Sequence, residues 1–137
     1  MRRVILDTNV YIGFMNDGLH EGVVLGPGSL RYMSSVVWME LEAGATTKRA
    51  QQAVARLART FAATNRLIAP SPAVWASAGP LLRRLRGAGR EVRRASFVND
   101  VLIALTARDV GATVVTNDAS DYGSIEKHLD FVWTVTG

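Results

Sequence analysis

Four acids far apart in the chain each sit beside apolar residues: Asp7 in Ile5-Leu6-Asp7-Thr8-Asn9, Glu40 in Trp38-Met39-Glu40-Leu41, Asp100 in Asn99-Asp100-Val101-Leu102, and Asp118 in Val115-Thr116-Asn117-Asp118. Three of them stand where an apolar strand ends or a helix begins. In an open parallel sheet the ligand crevice lies outside the carboxyl ends of the strands. Carboxylates gathered there repel one another at neutral pH, and a divalent cation is the usual means of neutralising them. A magnesium or manganese site is therefore expected. Such ions take oxygen ligands and keep several waters. Three or four carboxylates can thus hold one or two ions and leave room for a phosphodiester and an attacking water.

Each acid also has a purely structural use. Asp7 could cap the helix after its strand, and Asp100, at an expected helix start, could do the same. Asp121 could cap a short helix toward Ile125. Glu40 falls inside a helix, with Glu42 as its rival; two residues apart is about 200° of helix, so only one of them can face a cleft. The signal is the set of four. Competing chemistries find little support. Cysteine is absent, which removes disulfides and thiolate zinc sites, and His20 and His128 have no companions at ligand spacing. Neither a G-x-x-x-x-G-K-[ST] phosphate loop nor a G-x-G-x-x-G fingerprint occurs.

The charge pattern points to the ligand. The net charge is +4 and the pI about 10.1. Between Ala43 and Arg90 stand Lys48, Arg49, Arg56, Arg59, Arg66, Arg83, Arg84, Arg86 and Arg90 without one acid. A basic chain that groups its acids at strand ends suits a polyanion approaching a metal centre. Arg49, Arg56 and Arg59 on one helix, and the cluster Arg83-Arg84-Arg86, are the candidate phosphate contacts. Solvated helix faces in an arginine-rich composition are the alternative.

The elements that must position these groups follow from apolar runs and breakers. Residues 3–7 read as a buried strand, and Thr8 or Asn9 can open a helix through Phe14. A turn at Gly26-Pro27-Gly28 precedes a strand at 30–33, and Ser34 or Ser35 opens a helix to Gly44. A helix spans about 48–64, with Val54, Leu57, Ala58 and Phe61 opposite its arginines. A short strand follows at 67–69. Ser71-Pro72 starts a further helix, expected to kink at Pro80 and end at Gly87-Ala88-Gly89. Residues 98–110 form a strong helix entered at Asn99-Asp100, and strands lie at 113–117 and 131–135. Strands alternating with helices in a chain of 137 residues indicate one α/β domain, residues 1–137, with a mostly parallel sheet. No apolar run reaches the roughly 20 residues of a membrane span. The start turns acidic too soon for a signal peptide, so a cytoplasmic location is expected.

Taken in order, Leu6-Asp7-Thr8-Asn9, Ser34-Ser35-Val36-Val37-Trp38-Met39-Glu40-Leu41 with Gly44, Asn99-Asp100-Val101-Leu102-Ile103-Ala104 and Thr116-Asn117-Asp118-Ala119-Ser120-Asp121-Tyr122 resemble the motifs of PIN-domain ribonucleases, specifically VapC-type toxins of toxin–antitoxin pairs. The resemblance spans nearly the whole chain. It implies a three-layer α/β/α sandwich around a five-stranded parallel sheet. It also implies a Mg²⁺- or Mn²⁺-dependent endoribonuclease, homodimeric and held inactive by a cognate antitoxin. Carried over by position, Asp7, Glu40, Asp100 and Asp118 become the metal-binding catalytic quartet, and the family's Glu-Leu pair favours Glu40 over Glu42. Thr8, Asn9 and Thr116 become orienting residues. Many relatives carry asparagine at the position of Asp118 and their fourth acid at that of Asp121, which makes Asp121 a secondary ligand candidate. Two other readings are a PIN nuclease of RNA processing that is not a toxin, and a receiver-like phosphoacceptor. A receiver needs an acid at its third strand and a lysine at its last. Here Leu67-Ile68-Ala69 has no acid, and the only lysines are Lys48 and Lys127.

Overall fold

The computed structural model describes residues 1–136. Five parallel strands form one sheet in the order β3-β2-β1-β4-β5: β1 (Arg2–Leu6), β2 (Ser29–Ser34), β3 (Leu67–Ile68), β4 (Thr113–Thr116) and β5 (Trp133–Val135). The helices between them are α1 (Thr8–Asp17), α2 (Glu21–Leu25), α3 (Ser35–Gly44), α4 (Lys48–Ala63), α5 (Pro72–Gly87), α6 (Ala95–Val110) and α7 (Ala119–Glu126). Right-handed crossovers place α1 to α4 on one face of such a sheet and α5 to α7 on the other. The packing follows that division: α1 lies on α3 and α3 on α4, while α5 lies on α6 and α6 on α7. The result is the expected three-layer α/β/α sandwich.

The chain leaves β1 in one direction for β2 and β3 and later returns to β4 on its other side. The order therefore reverses between β1 and β4, and at that switch point the loops diverge and open a crevice. The register fixes what meets there. Leu6 pairs with Val115 and the Asp7 amide donates to the Val115 carbonyl at 2.8 Å, so Asp7 and Thr116 come off adjacent strand ends. Val4, Ile5 and Leu6 are fully buried, as a strand covered on both faces must be.

Helix starts follow side-chain capping in most cases. Ser34 accepts from Val36 N at 3.1 Å, Thr47 from Ala50 N at 3.1 Å and Ser71 from Val74 N at 3.2 Å. On α4, Val54, Ala58 and Phe61 are buried and Arg49, Arg56 and Arg59 are exposed, as the period required.

Two local expectations need correction, the cap of α7 and the start of α6. Of the candidate caps for α1, Asp7 holds the place, in extended conformation, and Thr8 is the first helical residue. The helix after β4 is capped by Asp118, whose Oδ1 accepts from Ser120 N at 3.1 Å, and Asp121 lies in its first turn. Helix α5 continues through Pro80 to Gly87, where its end was expected, and Val74, Ala78, Leu81 and Leu85 bury one stripe along it. Helix α6 begins at Ala95, three residues before its expected start, without a side-chain cap on Arg94. Phe97, fully buried, fixes that first turn by packing. Asp100 consequently stands in the second turn, not at the helix start. Among the described residues no helix is long and apolar enough to cross a membrane.

Candidate active site

A cleft of about 240 Å³ opens at the switch point, lined by Asp7, Glu40, Asp100, Asp118 and Asp121 with Thr8, Asn9, Ile12, Arg94 and Ser96. Its floor is the end of β1. Asp7 is buried, with 5% of its surface exposed. Its Oδ1 accepts from Thr8 N at 2.9 Å. Its Oδ2 accepts from Thr116 Oγ1 at 2.9 Å and Asn9 Nδ2 at 3.4 Å. Thr116 has one hydroxyl hydrogen, and Asp7 is its shortest contact. The same oxygen accepts from Asp118 N at 3.1 Å and Asn9 Nδ2 at 3.3 Å. Thr116 thereby ties the end of β4 to the end of β1.

Glu40 enters from the middle of α3. The Thr8 hydroxyl donates to Oε1 at 2.7 Å and Asn99 Nδ2 to Oε2 at 3.3 Å. Thr8 therefore holds two acids at once, Asp7 through its amide and Glu40 through its hydroxyl. Asn99, on α6, reaches across the end of the sheet to a residue of the other helical layer. Glu42 is exposed on α3 and does not line the cleft.

Asp100 has fewer partners. Among the described residues it accepts from the buried Tyr122 hydroxyl at 3.4 Å and lies beside the Asp121 carboxyl. Burial, then repulsion from Asp7, push its carboxyl up to about 9, with Asp121 and Glu40 adding to the rise. Burial also raises the Asp7 carboxyl and outweighs the lowering by Thr116 and Thr8. The Tyr122 hydroxyl is raised as well, first by burial and then by the surrounding carboxylates. Asp118 sits exposed at the rim, capping α7. Asp121 faces the cleft too, but Arg94 Nη2 donates to both its oxygens, at 2.8 and 2.9 Å, and Arg90 to one of them.

Among the described residues no group of three or more His, Cys, Asp or Glu side chains stands ready-made to hold a metal ion. The donor chemistry nonetheless fits a hard divalent cation. The donors are carboxylate oxygens, and burial with mutual repulsion raises the proton affinity of Asp7 and Asp100. A cation supplies offsetting positive charge.

The candidate phosphate contacts Arg49, Arg56, Arg59, Arg83, Arg84 and Arg86 are all exposed, and none lines the cleft. Arg56 instead borders an apolar groove with Tyr11, Met15, Leu25 and Leu57. Asn99, Tyr122, Ser96, Arg90 and Arg94 received no role from the sequence. With the helix begun at Ala95, Ser96 and Asp100 stand one turn apart on the same face, and that spacing would have pointed to them.

A family model for the PIN domain matches residues 4–122. The chain belongs to the PIN-domain family. Solved structures repeat its architecture over their whole length. A chain of VapBC2 from Rickettsia felis, bound to a DNA fragment from their promoter, superposes with TM-score 0.72 at 23% identity, covering 98% of this PIN domain and 99% of that chain. VapBC-1 from nontypeable Haemophilus influenzae gives 0.70 at 24%, with 97% of each chain covered. DNA-bound VapBC from Salmonella typhimurium gives 0.70 at 24%, with 98% of each covered. At these identities the likeness establishes the fold of the PIN domain. No curated protein sequence matches the chain.

Proposed function

We propose that this PIN domain is a Mg²⁺- or Mn²⁺-dependent endoribonuclease and the toxin of a toxin–antitoxin pair. The observation that carries the reading is the cleft at the sheet's switch point. It gathers Asp7, Glu40, Asp100 and Asp118 from four separate elements and leaves Asp7 and Asp100 with raised proton affinity. A structural role does not require four acids to share one crevice, and their repulsion is a standing cost to the fold. The family model supports nuclease chemistry, and the VapBC structures support the toxin assignment and a cognate antitoxin as partner.

In this reading Asp7, Glu40, Asp100 and Asp118 would hold the cation, which, when bound, polarises the phosphodiester and lowers the pKa of the attacking water. The chain's own residues prepare for it. Thr8 and Thr116 fix the Asp7 carboxylate, and Thr8 with Asn99 fixes Glu40. Asn9 bonds Asp7 and takes the Asn117 amide on its Oδ1 at 3.2 Å, which holds the β4 loop over the site. Burial and Asp7 raise the Asp100 carboxyl to about 9, so filling the site would release a proton to water. The cleft's lining contains no lysine, which removes the group a receiver-like phosphoacceptor would need. The working form is taken to be a cytoplasmic homodimer.

The test is cleavage of single-stranded RNA by the purified protein. Activity should vanish in EDTA and return with Mg²⁺ or Mn²⁺; turnover that survives full chelation would overturn the metal assignment. Expression alone should arrest growth, with relief by the cognate antitoxin. Good tolerance, with cleavage of a maturing precursor only, would favour an RNA-processing nuclease.

A further inference from the structure

The corner between α6 and α7 holds a charged group beside the acids of the cleft. Arg90 and Arg94 converge on Asp121 from the turn before α6. Their guanidinium groups lie 5.0 and 6.0 Å from the centroid of the Phe97 ring, which is fully buried. Two cations against one anion leave an excess of one positive charge at the rim of an acidic cleft. The Asp121 side chain is 14% exposed and that of Arg94 51%, so the carboxylate is sequestered and the arginine is open to solvent. Arg94 and Ser96 line the same cleft as Asp7, Glu40, Asp100 and Asp118.

The donor inventory of Arg94 is informative. Only its Nη2 bonds to Asp121; its Nε and Nη1 hydrogens make no hydrogen bond among the described residues. A guanidinium presents five donors in a rigid fork that matches two oxygens of a phosphate. One edge here is anchored to Asp121 and the plane lies near an aromatic ring. Much of the side chain's rotamer entropy is thus already lost before an anion meets the free edge. If the group served only to join α6 to α7, Arg90 and Asp121 would suffice, since they are the more buried pair.

We infer that Arg94 receives a backbone phosphate of the RNA strand beside the carboxylate site. Asp121, with Arg90, is the positioning group that holds its guanidinium there. The inference rests on the nuclease reading of the cleft and names the group that orients the strand within it.

The experiment measures two bindings on the intact protein. One is the affinity for a labelled single-stranded RNA by fluorescence anisotropy across a salt series. It is run with Ca²⁺, a hard cation whose looser shell positions attacking water poorly. The other is Mn²⁺ affinity by electron paramagnetic resonance without RNA. Arg94→Ala should weaken RNA binding about tenfold and flatten the log–log salt slope by about 0.7, the value of one phosphate contact on a single strand. Its Mn²⁺ affinity should not fall. Arg94→Lys should restore the slope and only part of the affinity, because a point charge replaces a fork. Asp121→Asn should lose RNA affinity a few-fold.

Two results would overturn the inference: RNA binding by Arg94→Ala equal to wild type, or an Arg94→Lys salt slope no steeper than that of Arg94→Ala. Failure of the nuclease reading looks different. The wild type would then cleave no RNA in Mg²⁺ or Mn²⁺, while RNA binding through Arg94 could still be scored.

Discussion

The two banks of the cleft are built differently. On the β1 and α3 bank, Asp7 and Glu40 receive five hydrogen bonds, from Thr8, Asn9, Thr116 and Asn99. On the α6 bank, Asp100 receives one, from Tyr122 at 3.4 Å, and its carboxyl is pushed up to about 9 by burial and by Asp7. The first bank is arranged before any ligand arrives. The second holds an acid that is out of balance until positive charge enters. Fixed geometry on one side and stored repulsion on the other give the site both a place for a cation and a driving force to take one.

The largest test of this contrast is Asp100→Asn. Cleavage should drop to background while the metal-free fold gains stability, by about 1–3 kcal/mol near pH 8. The sign follows from proton counting. The folded-state carboxyl, raised from 3.8 to about 9, binds more protons than the unfolded chain between those values. Its contribution to stability is therefore lost as pH climbs through that window. The gap between variant and wild type in EDTA should be near zero at pH 4 and widen toward pH 9. Thermal melts in EDTA at several pH values measure it, and a variant less stable than wild type at pH 8 would mean that Asp100 is not strained.

Metal binding should show the same imbalance. Mn²⁺ affinity should rise by up to about tenfold per pH unit from pH 6 to pH 8, because filling the site displaces a proton. A flat calorimetric profile would remove Asp100 from the ligand set.

Thr8→Val tests the ordered bank. It keeps the amide bond to Asp7 and deletes the hydroxyl bond to Glu40, which should lower kcat by about 10–100-fold, the usual size for groups that orient metal ligands. Thermal stability should change little, since Glu40 is only partly buried. If kcat holds, the arrangement of Glu40 does not depend on its threonine.

The smallest effect is expected outside both banks. Replacing Arg83, Arg84 and Arg86 by alanine should weaken RNA binding and flatten the salt slope by about two units if all three meet phosphate. Turnover at saturating RNA should not change. An unchanged slope would make them a solvated face.

Much of this was legible in the residues, and the parts that were not share a cause. The strands and most helices announced themselves through apolar runs and through caps such as Ser34, Thr47 and Ser71, which are local devices. The start of α6 did not, because packing of Phe97 fixes it in place of a cap. That shift of three residues hid Arg94 and Ser96. Helix α2 has five residues and follows His20 at φ 63°, so it carries no periodicity to detect. Asp118 and Asp121 each had the residue type to cap α7, and only the backbone path after Thr116 decides between them. The run of α5 through Pro80 to Gly87 was legible from Ser71-Pro72 at its start and the glycines at its end. The acids were legible as a set, whereas their hydrogen-bond partners required the register of β1 on β4.

One feature of the sheet bears on how other chains can join this one. Its two edges are its shortest strands, β3 with two residues and β5 with three. An edge that short offers too little free backbone to template another strand, which guards the fold against growing into a larger sheet. It also narrows the grammar of recognition, because lengthening the ladder is a poor way for a second chain to join.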